Sequence, residues 1–139
     1  MKEIKKITAL FFISLLLLLV GCEEGSNETD GKKPADVKSI AITMIAKSSA
    51  NPVFESAKIG AIKTAESISE KYSKLDVTID WQTPNNESAS EQAEIIRNAV
   101  KNGTKAIIVS CSDEDTLTQA INYAVENGIA VMTFDSDAP

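Results

Sequence analysis

Between Ser39 and Phe134 four short apolar runs alternate with three longer amphipathic stretches, and that alternation restricts the chain more than any other feature. The runs are Ser39 to Ala46, Val77 to Trp81, Ala106 to Ser110 and Ala130 to Phe134. Each is bounded by charge or by turn residues and is too short for a buried helix, so each reads as a buried strand. Pro52 to Tyr72, Ser90 to Asn102 and Glu114 to Asn127 repeat apolar residues at helical spacing. Strands that alternate with crossover helices run in one direction, so the pattern predicts a doubly wound, parallel α/β sheet, in the usual order 2-1-3-4.

Local signals support these elements. Asn51-Pro52 sets a capping residue before a proline at the first helical position, and Ser88 with Glu91 can form a capping box. Gly103 and Gly128 follow the second and third helices, where a chain leaves a helix most easily. Phe54, Ala57, Ala61, Ile62, Ala65 and Ile68 form the buried stripe expected of the first helix. Leu117, Ala120, Ile121, Ala124 and Val125 form that of the third. The chain stops at Pro139, directly after its fourth strand, with nothing to cover the far edge of the sheet. A parallel sheet needs both faces covered, so a longer natural protein is expected.

Upstream of the sheet, Lys2, Lys5 and Lys6 precede an uncharged run from Ile7 to Val20 that is too short for a comfortable membrane span. The run closes on Leu19-Val20-Gly21-Cys22, which resembles the lipobox of bacterial lipoproteins. That resemblance implies a signal peptide over residues 1–21, a lipidated Cys22 as the mature N-terminus, and an anchor in a membrane outside the cytoplasm. Several acyl chains on one cysteine hold a protein stably at a membrane surface. Residues 22–37 then read as a flexible tether, rich in Glu, Gly, Ser, Asn, Asp and Lys. Random-coil scaling lets it hold a globular body roughly 20 Å from the bilayer. The globular part is therefore residues 38–139.

Loss of the leader removes Lys2, Glu3, Lys5 and Lys6 and leaves eleven basic and nineteen acidic residues, a net charge of −8. Such a balance argues against nucleic acid as a partner. The chain has no histidine, which excludes a Ser-His-Asp triad, an imidazole base and a His-ligated zinc. The loop Lys47-Ser48-Ser49-Ala50-Asn51 is neither a Walker A loop nor a dinucleotide-binding turn. The pairs Asp113/Asp115 and Asp135/Asp137 have the chemistry of a glycosidase or a magnesium site. The first pair, however, stands at the start of a helix, where the helix dipole favours acids in any protein. With Cys22 lipidated, Cys111 has no partner for an intramolecular disulfide and reads as a small buried apolar residue at a strand end.

In a sheet of order 2-1-3-4 the switch point lies between the first and third strands, and ligands bind beyond the carboxyl ends of the strands there. The loops that matter are Lys47 to Phe54, Ser110 to Asp113, and Asp135 to Asp137. They carry hydrogen-bonding groups and one ring, a set suited to a small, neutral, hydroxyl-rich ligand, with Asp135 able to accept two hydroxyl protons.

Ile42-Thr-Met-Ile-Ala-Lys47, Asn51-Pro-Val-Phe54, Trp81-Gln-Thr-Pro84, Gln92 and Gly128-Ile-Ala-Val-Met-Thr-Phe-Asp-Ser-Asp-Ala-Pro139 resemble the ribose-type periplasmic sugar-binding proteins from about Ser39 onward. The branch with rhamnose-binding and furanosyl-autoinducer-binding members is the most similar, since there too a lysine ends the first strand and Asp-Ser-Asp ends the fourth. The resemblance implies the greater part of an N-terminal lobe from a two-lobed receptor of an ABC importer, with a monosaccharide or furanosyl signal as ligand, ABC permease subunits as partners, no cofactor and no bond chemistry. It also implies that Lys47 and Asp135 face the ligand, that Asn51 donates to sugar oxygens and that Phe54 packs on the ring. Each has another role open to it: Lys47 as a solvated charge, Asn51 as a helix cap, Phe54 as core. Val53 and Ser136 depart from ribose-type members, which carry an aromatic and an arginine there, so D-ribose itself is not the expected cargo. Trp81 reads as a packing residue. Two other functions compete with this one. A lipoprotein of the same fold can report ligand to a sensor kinase or chemoreceptor, and an exported carbohydrate-active enzyme could use the Asp pairs. A cytoplasmic repressor shares the fold but not the lipobox.

Overall fold

A computed structural model describes residues 36–138. The signal peptide expected over 1–21, the lipidation expected at Cys22, all but the last two residues of the expected tether, and Pro139 lie outside the described residues. The elements run β1 (Lys38–Ile45), α1 (Pro52–Lys71), β2 (Leu75–Trp81), α2 (Ala89–Lys101), β3 (Ala106–Val109), α3 (Glu114–Glu126) and β4 (Ala130–Thr133). They form one four-stranded sheet in the order β2-β1-β3-β4, with every neighbouring pair parallel. Fold class and strand order thus agree with the sequence reading. The boundaries shift by one or two residues. β2 begins at Leu75 because Leu75 and Asp76 already pair with Lys38 and Ser39, which the apolar pattern did not reveal.

Each helix starts as its local sequence dictates. The Asn51 side chain accepts the Val53 N–H at 3.1 Å, Ser88 Oγ accepts the Glu91 N–H at 3.3 Å, and Asp113 Oδ1 accepts the Thr116 N–H at 2.8 Å. Each bond satisfies a donor that the helix itself leaves unpaired. Helices α2 and α3 end in one motif. Gly103 and Gly128 take φ of +81° and +77°, and the N–H groups of Thr104 and Ile129 reach back to Ala99 O and Ala124 O at 3.2 and 3.1 Å. The glycine N–H groups bond Val100 O and Val125 O, which completes a Schellman ending at both sites.

The core lies on one face of the sheet. Ile45, Ile107 and Val109 point from the strands into a layer of Ala93, Ile96 and Ala99 from α2 and Leu117, Ala120 and Ala124 from α3. The alanines at the helix contact let α2 and α3 approach each other closely while Ile96 and Leu117 fill the space above the sheet. Val125 was expected in this stripe and is 54% exposed instead. At 100° per residue it stands about 90° from the mean direction of Leu117, Ala120, Ile121 and Ala124, too far round to reach the sheet. The opposite face is covered by α1, which buries Phe54 and Ala65. Ala57, Ala61, Ile62 and Ile68, expected in the same stripe, are half-buried. Beside Ala61, Ala65 and Ile68 a cavity of about 190 Å³ opens against Ile42, Val77, Ile79 and Ile108.

Two predictions concern these helix ends. No atom stands within 4 Å of a Cβ built on Gly103 or Gly128, so replacement by alanine costs backbone strain alone. Urea melts should show a loss of about 1 kcal/mol for either Gly→Ala variant and less for Gly→Asn. The Thr116 side-chain and backbone hydrogen bonds hold the Asp113 carboxyl below its ordinary pKa, against a small opposing effect of desolvation. A lowered folded-state pKa stabilises above the unfolded value of about 4 and ceases to do so as pH falls through the folded one. Asp113→Asn should therefore lower the melting temperature at pH 7, and the difference from the parent should vanish on acidification through that range.

Candidate functional site

Beyond the carboxyl ends of β1, β3 and β4 the chain brings together Lys47, Ser110, Cys111, Asp135 and Ser136. Ser110 is fully buried; its N–H continues the β1–β3 ladder to Ile45 O at 2.9 Å, and its Oγ donates to Asp135 Oδ2 at 3.0 Å. Lys47 Nζ stands 3.6 Å from the same oxygen, with side chains 26% and 47% exposed for Lys47 and Asp135. Such an exposed pair contributes at most about 1 kcal/mol to folding, so its chief effect is to fix where the two charges meet a ligand. Ser136 Oγ donates to Cys111 O at 2.7 Å and the Cys111 N–H donates to Ser136 O at 3.2 Å, which ties the end of β4 to the end of β3.

Asp135 has φ of +61°, and among the described residues it is the one non-glycine in the left-handed region. It is the middle of a three-residue turn closed by the Ser136 N–H on Phe134 O at 2.6 Å. Held strain of this kind costs about 1 kcal/mol and persists where neighbours over-determine it. Here the neighbours are Ser110, which holds the carboxylate, and Ser136, whose hydroxyl and carbonyl are tied to Cys111. Asp135 lines a depression of about 220 Å³ together with Thr133, Phe134, Ser136 and Asp137. Cys111 carries a free, buried thiol. Burial raises its pKa, the Asp137 charge adds to the rise, and Lys47 opposes it.

The other expected contacts are placed nearby in different ways. Asn51 caps α1 through its side-chain oxygen. Phe54 is 5% exposed and meets the Phe134 ring edge to face, with centroids 6.2 Å apart and planes at 89°. Val53, one residue earlier, is 67% exposed at the rim. Trp81 is half-buried with Lys58 Nζ 5.7 Å from its ring centre, in keeping with a packing role. Asp113 is taken up by its helix cap and stands apart from the Asp135 cluster.

Sequence reasoning passed over two supports of this edge. The loop after β2 was set outside the site, yet it braces the loop after β1. Thr83 Oγ1 accepts the Ala46 N–H at 2.9 Å, Pro84 O accepts the Ser49 N–H at 2.7 Å, and Asn85 O accepts from Ser48 Oγ at 2.7 Å. Trp81-Gln82-Thr83-Pro84 held the signal, as a polar turn after a strand. Ser110 was included in its loop, but nothing in the sequence revealed that its hydroxyl holds Asp135. A separate depression of about 170 Å³ lies between α2 and the β1–β2 half of the sheet. Its polar groups bond one another, Thr43 to Thr104 at 3.0 Å and Gln82 to Asp80 at 2.9 Å.

Comparison with known proteins places this geometry in context. Residues 40–139 match the periplasmic binding protein domain. LsrB from Clostridium saccharobutylicum, solved in complex with AI-2, is 34% identical, with a TM-score of 0.60 over 71% of this chain and 28% of LsrB. An ABC transporter solute-binding protein from Clostridium phytofermentas, with bound L-rhamnose, is 25% identical, with a TM-score of 0.61 over 73% of this chain and 30% of that one. XylFII, solved as a XylFII-LytSN complex, is 25% identical, with a TM-score of 0.63 over 71% of this chain and 33% of the other. The chain thus spans about 30% of the length of these proteins. The matched family is one of binding proteins, and the Clostridium phytofermentas protein is a solute-binding protein, which speaks against the carbohydrate-active reading of the Asp pairs. With its parallel sheet, its strand order and the match over residues 40–139, the chain belongs to the periplasmic binding protein family.

Proposed function

We propose that this chain is the greater part of the N-terminal lobe of an extracytoplasmic solute-binding lipoprotein that captures a monosaccharide or furanosyl signal and delivers it to an ABC permease. The observation that carries the reading is the Lys47–Asp135–Ser110 constellation at the sheet edge. A carboxylate held through one oxygen, Oδ2, by a buried hydroxyl and an ammonium keeps lone pairs on its other oxygen for ligand hydroxyls, and Lys47 adds a donor for a ring or carbonyl oxygen. The similarity to proteins solved with AI-2 and with L-rhamnose supports a ligand of this class. The lipobox at Cys22 supports anchoring to the outer surface of a cell membrane.

One observation favours a second reading. XylFII was solved in complex with another protein, LytSN, so a lobe pair of this kind can serve a protein partner. In that reading the same ligand is reported to a membrane-bound sensor and is not imported. Cross-linking the lipid-anchored protein in its native membrane with and without sugar separates the two. Ligand-dependent capture of permease subunits supports import, and capture of a sensor kinase or chemoreceptor supports signalling.

Binding itself is tested on the full-length protein lacking residues 1–22, by thermal shift against pentoses, hexoses, deoxysugars and AI-2. A ligand at 100 times its dissociation constant stabilises the folded state by about 2.7 kcal/mol, a rise on the order of 5 °C or more. One compound should produce such a rise and be recovered unchanged; a flat response across the panel would overturn the sugar reading. With that compound, Asp135→Ala should weaken binding by about 2 kcal/mol, roughly 30-fold, by leaving ligand hydroxyls unpaired. Asp135→Asn tolerates the left-handed backbone and keeps one acceptor, so it should fold like the parent and bind with intermediate affinity. Unchanged affinity in Asp135→Ala would remove this carboxylate from the site.

A further inference from the structure

Gln92, in the first turn of α2, is fully buried and uses every hydrogen-bonding position of its amide. Nε2 donates to Ala46 O at 2.9 Å and to Ser110 O at 2.8 Å, while Oε1 accepts the Ser112 N–H at 3.1 Å and the Ser112 hydroxyl. Two carbonyls on one side and an N–H on the other leave no choice in how the amide is oriented. The four bonds join segments far apart in sequence: the last residue before Lys47, and the two residues that flank Cys111.

Those segments meet at the switch point, where the last ladder bond, from the Ser110 N–H to Ile45 O, is behind them and the two adjacent parallel strands send their loops apart. Ala46 precedes Lys47, Ser110 holds Asp135 through its hydroxyl, and Cys111 is bonded on both sides of its peptide to Ser136. Lys47 and Asp135 are thus each one residue or one hydrogen bond away from a residue that Gln92 holds. We propose that Gln92 is a positioning residue, a buried clamp that sets the separation of the β1 and β3 ends and with it the placing of Lys47 relative to Asp135. It touches no ligand, and its role rests on the ligand site proposed above. A core residue that merely filled space would need neither two donors nor two acceptors at this point.

Cys111 reports on the clamp without any sugar. Its thiol is buried between the two residues that Gln92 holds, so release of either should open it to a small disulfide reagent. The test measures modification of Cys111 by 4,4′-dithiodipyridine, located by peptide mass, in the full-length protein lacking residues 1–22. Ile96→Val serves as control, because Ile96 is equally buried one turn further along the same helix and bonds to none of these loops. Gln92→Met should speed modification tenfold or more, while Ile96→Val, though lower in melting temperature, should stay within twofold of the parent. Gln92→Glu adds a pH readout. At pH 9 its carboxylate faces two carbonyls and should behave like Gln92→Met, and at pH 5 the protonated acid regains one donor and should move back toward the parent. Rates are compared as ratios to the parent at each pH, which removes the thiol's own titration. Equal rates in Gln92→Met and the parent would overturn the proposal, as would an Ile96→Val rate as fast as that of Gln92→Met, or a Gln92→Glu ratio unchanged with pH. If Gln92→Met fails to fold, the Gln92→Glu profile decides by itself. A failed sugar panel and a failed clamp are seen separately, since this readout involves no sugar.

Discussion

A parallel strand followed by a helix returns to its sheet by a right-handed crossover, and this chirality decides where everything else in the molecule stands. The step from β1 to β2 goes one way across the sheet, and the steps from β2 to β3 and from β3 to β4 go the other way. Right-handed connections in opposite directions must use opposite faces. Hence α1 lies on one face and α2 with α3 on the other, and the loops leaving β1 and β3 part from each other instead of following one path. The gap at their carboxyl ends is a product of the fold, and it opens where Lys47 and Ser110 stand.

The two faces are packed unequally. The α2–α3 face holds the isoleucines, leucine and valine that are fully withdrawn from water, with alanines wherever helix meets helix. The α1 face is looser, with a cavity beside Ala61 and Ala65 and with Met132 on β4 mostly exposed. The strands end in a rigid layer on one side only, and Gln92 enters from that side. A dense face offers a fixed base for hydrogen bonds, because its helix cannot shift without opening cavities in the core.

At the edge itself the polar groups are arranged in tiers. Ser110 and Gln92 are buried and have their bonds satisfied within the protein. Lys47 and Asp135 are half in water and meet each other at 3.6 Å. The Ser110 hydroxyl stands between Asp135 Oδ2 at 3.0 Å and Ser136 Oγ at 3.3 Å, so one carboxylate oxygen is held from the protein side while Asp135 stays half in water. The left-handed turn at Asp135 belongs to the same arrangement: the backbone accepts the strain, and the bonds of Ser110 and Ser136 hold the turn in place.

The elements were legible because their causes are local. Asn51 before Pro52, Ser88 three residues before Glu91, and the glycines at 103 and 128 act within one turn of chain, and the apolar runs needed burial on both faces wherever they were placed. The strand order expected was the usual one for a doubly wound chain of this pattern, and it is the order found. Asp135 stands out in the sequence because it ends an apolar run, and Lys47 through the resemblance to sugar-binding proteins in which a lysine ends the first strand. What the sequence could not supply depends on distance across the sheet. Ser110 lies 25 residues from Asp135, and Gln92 lies 46 residues from Ala46. Phe54 meets Phe134 only because α1 starts above the end of β4. Val125 was misplaced for a related reason, since its helix spacing allowed burial and the position of the sheet refused it. Sequence alone determined which segments are strands and helices and which ends carry charge, since backbone hydrogen bonding and apolar periodicity act between near neighbours. Tertiary structure decided which polar groups meet, because a hydrogen bond needs atoms within about 3 Å, and only the packed sheet brings residues so far apart in the chain to that distance.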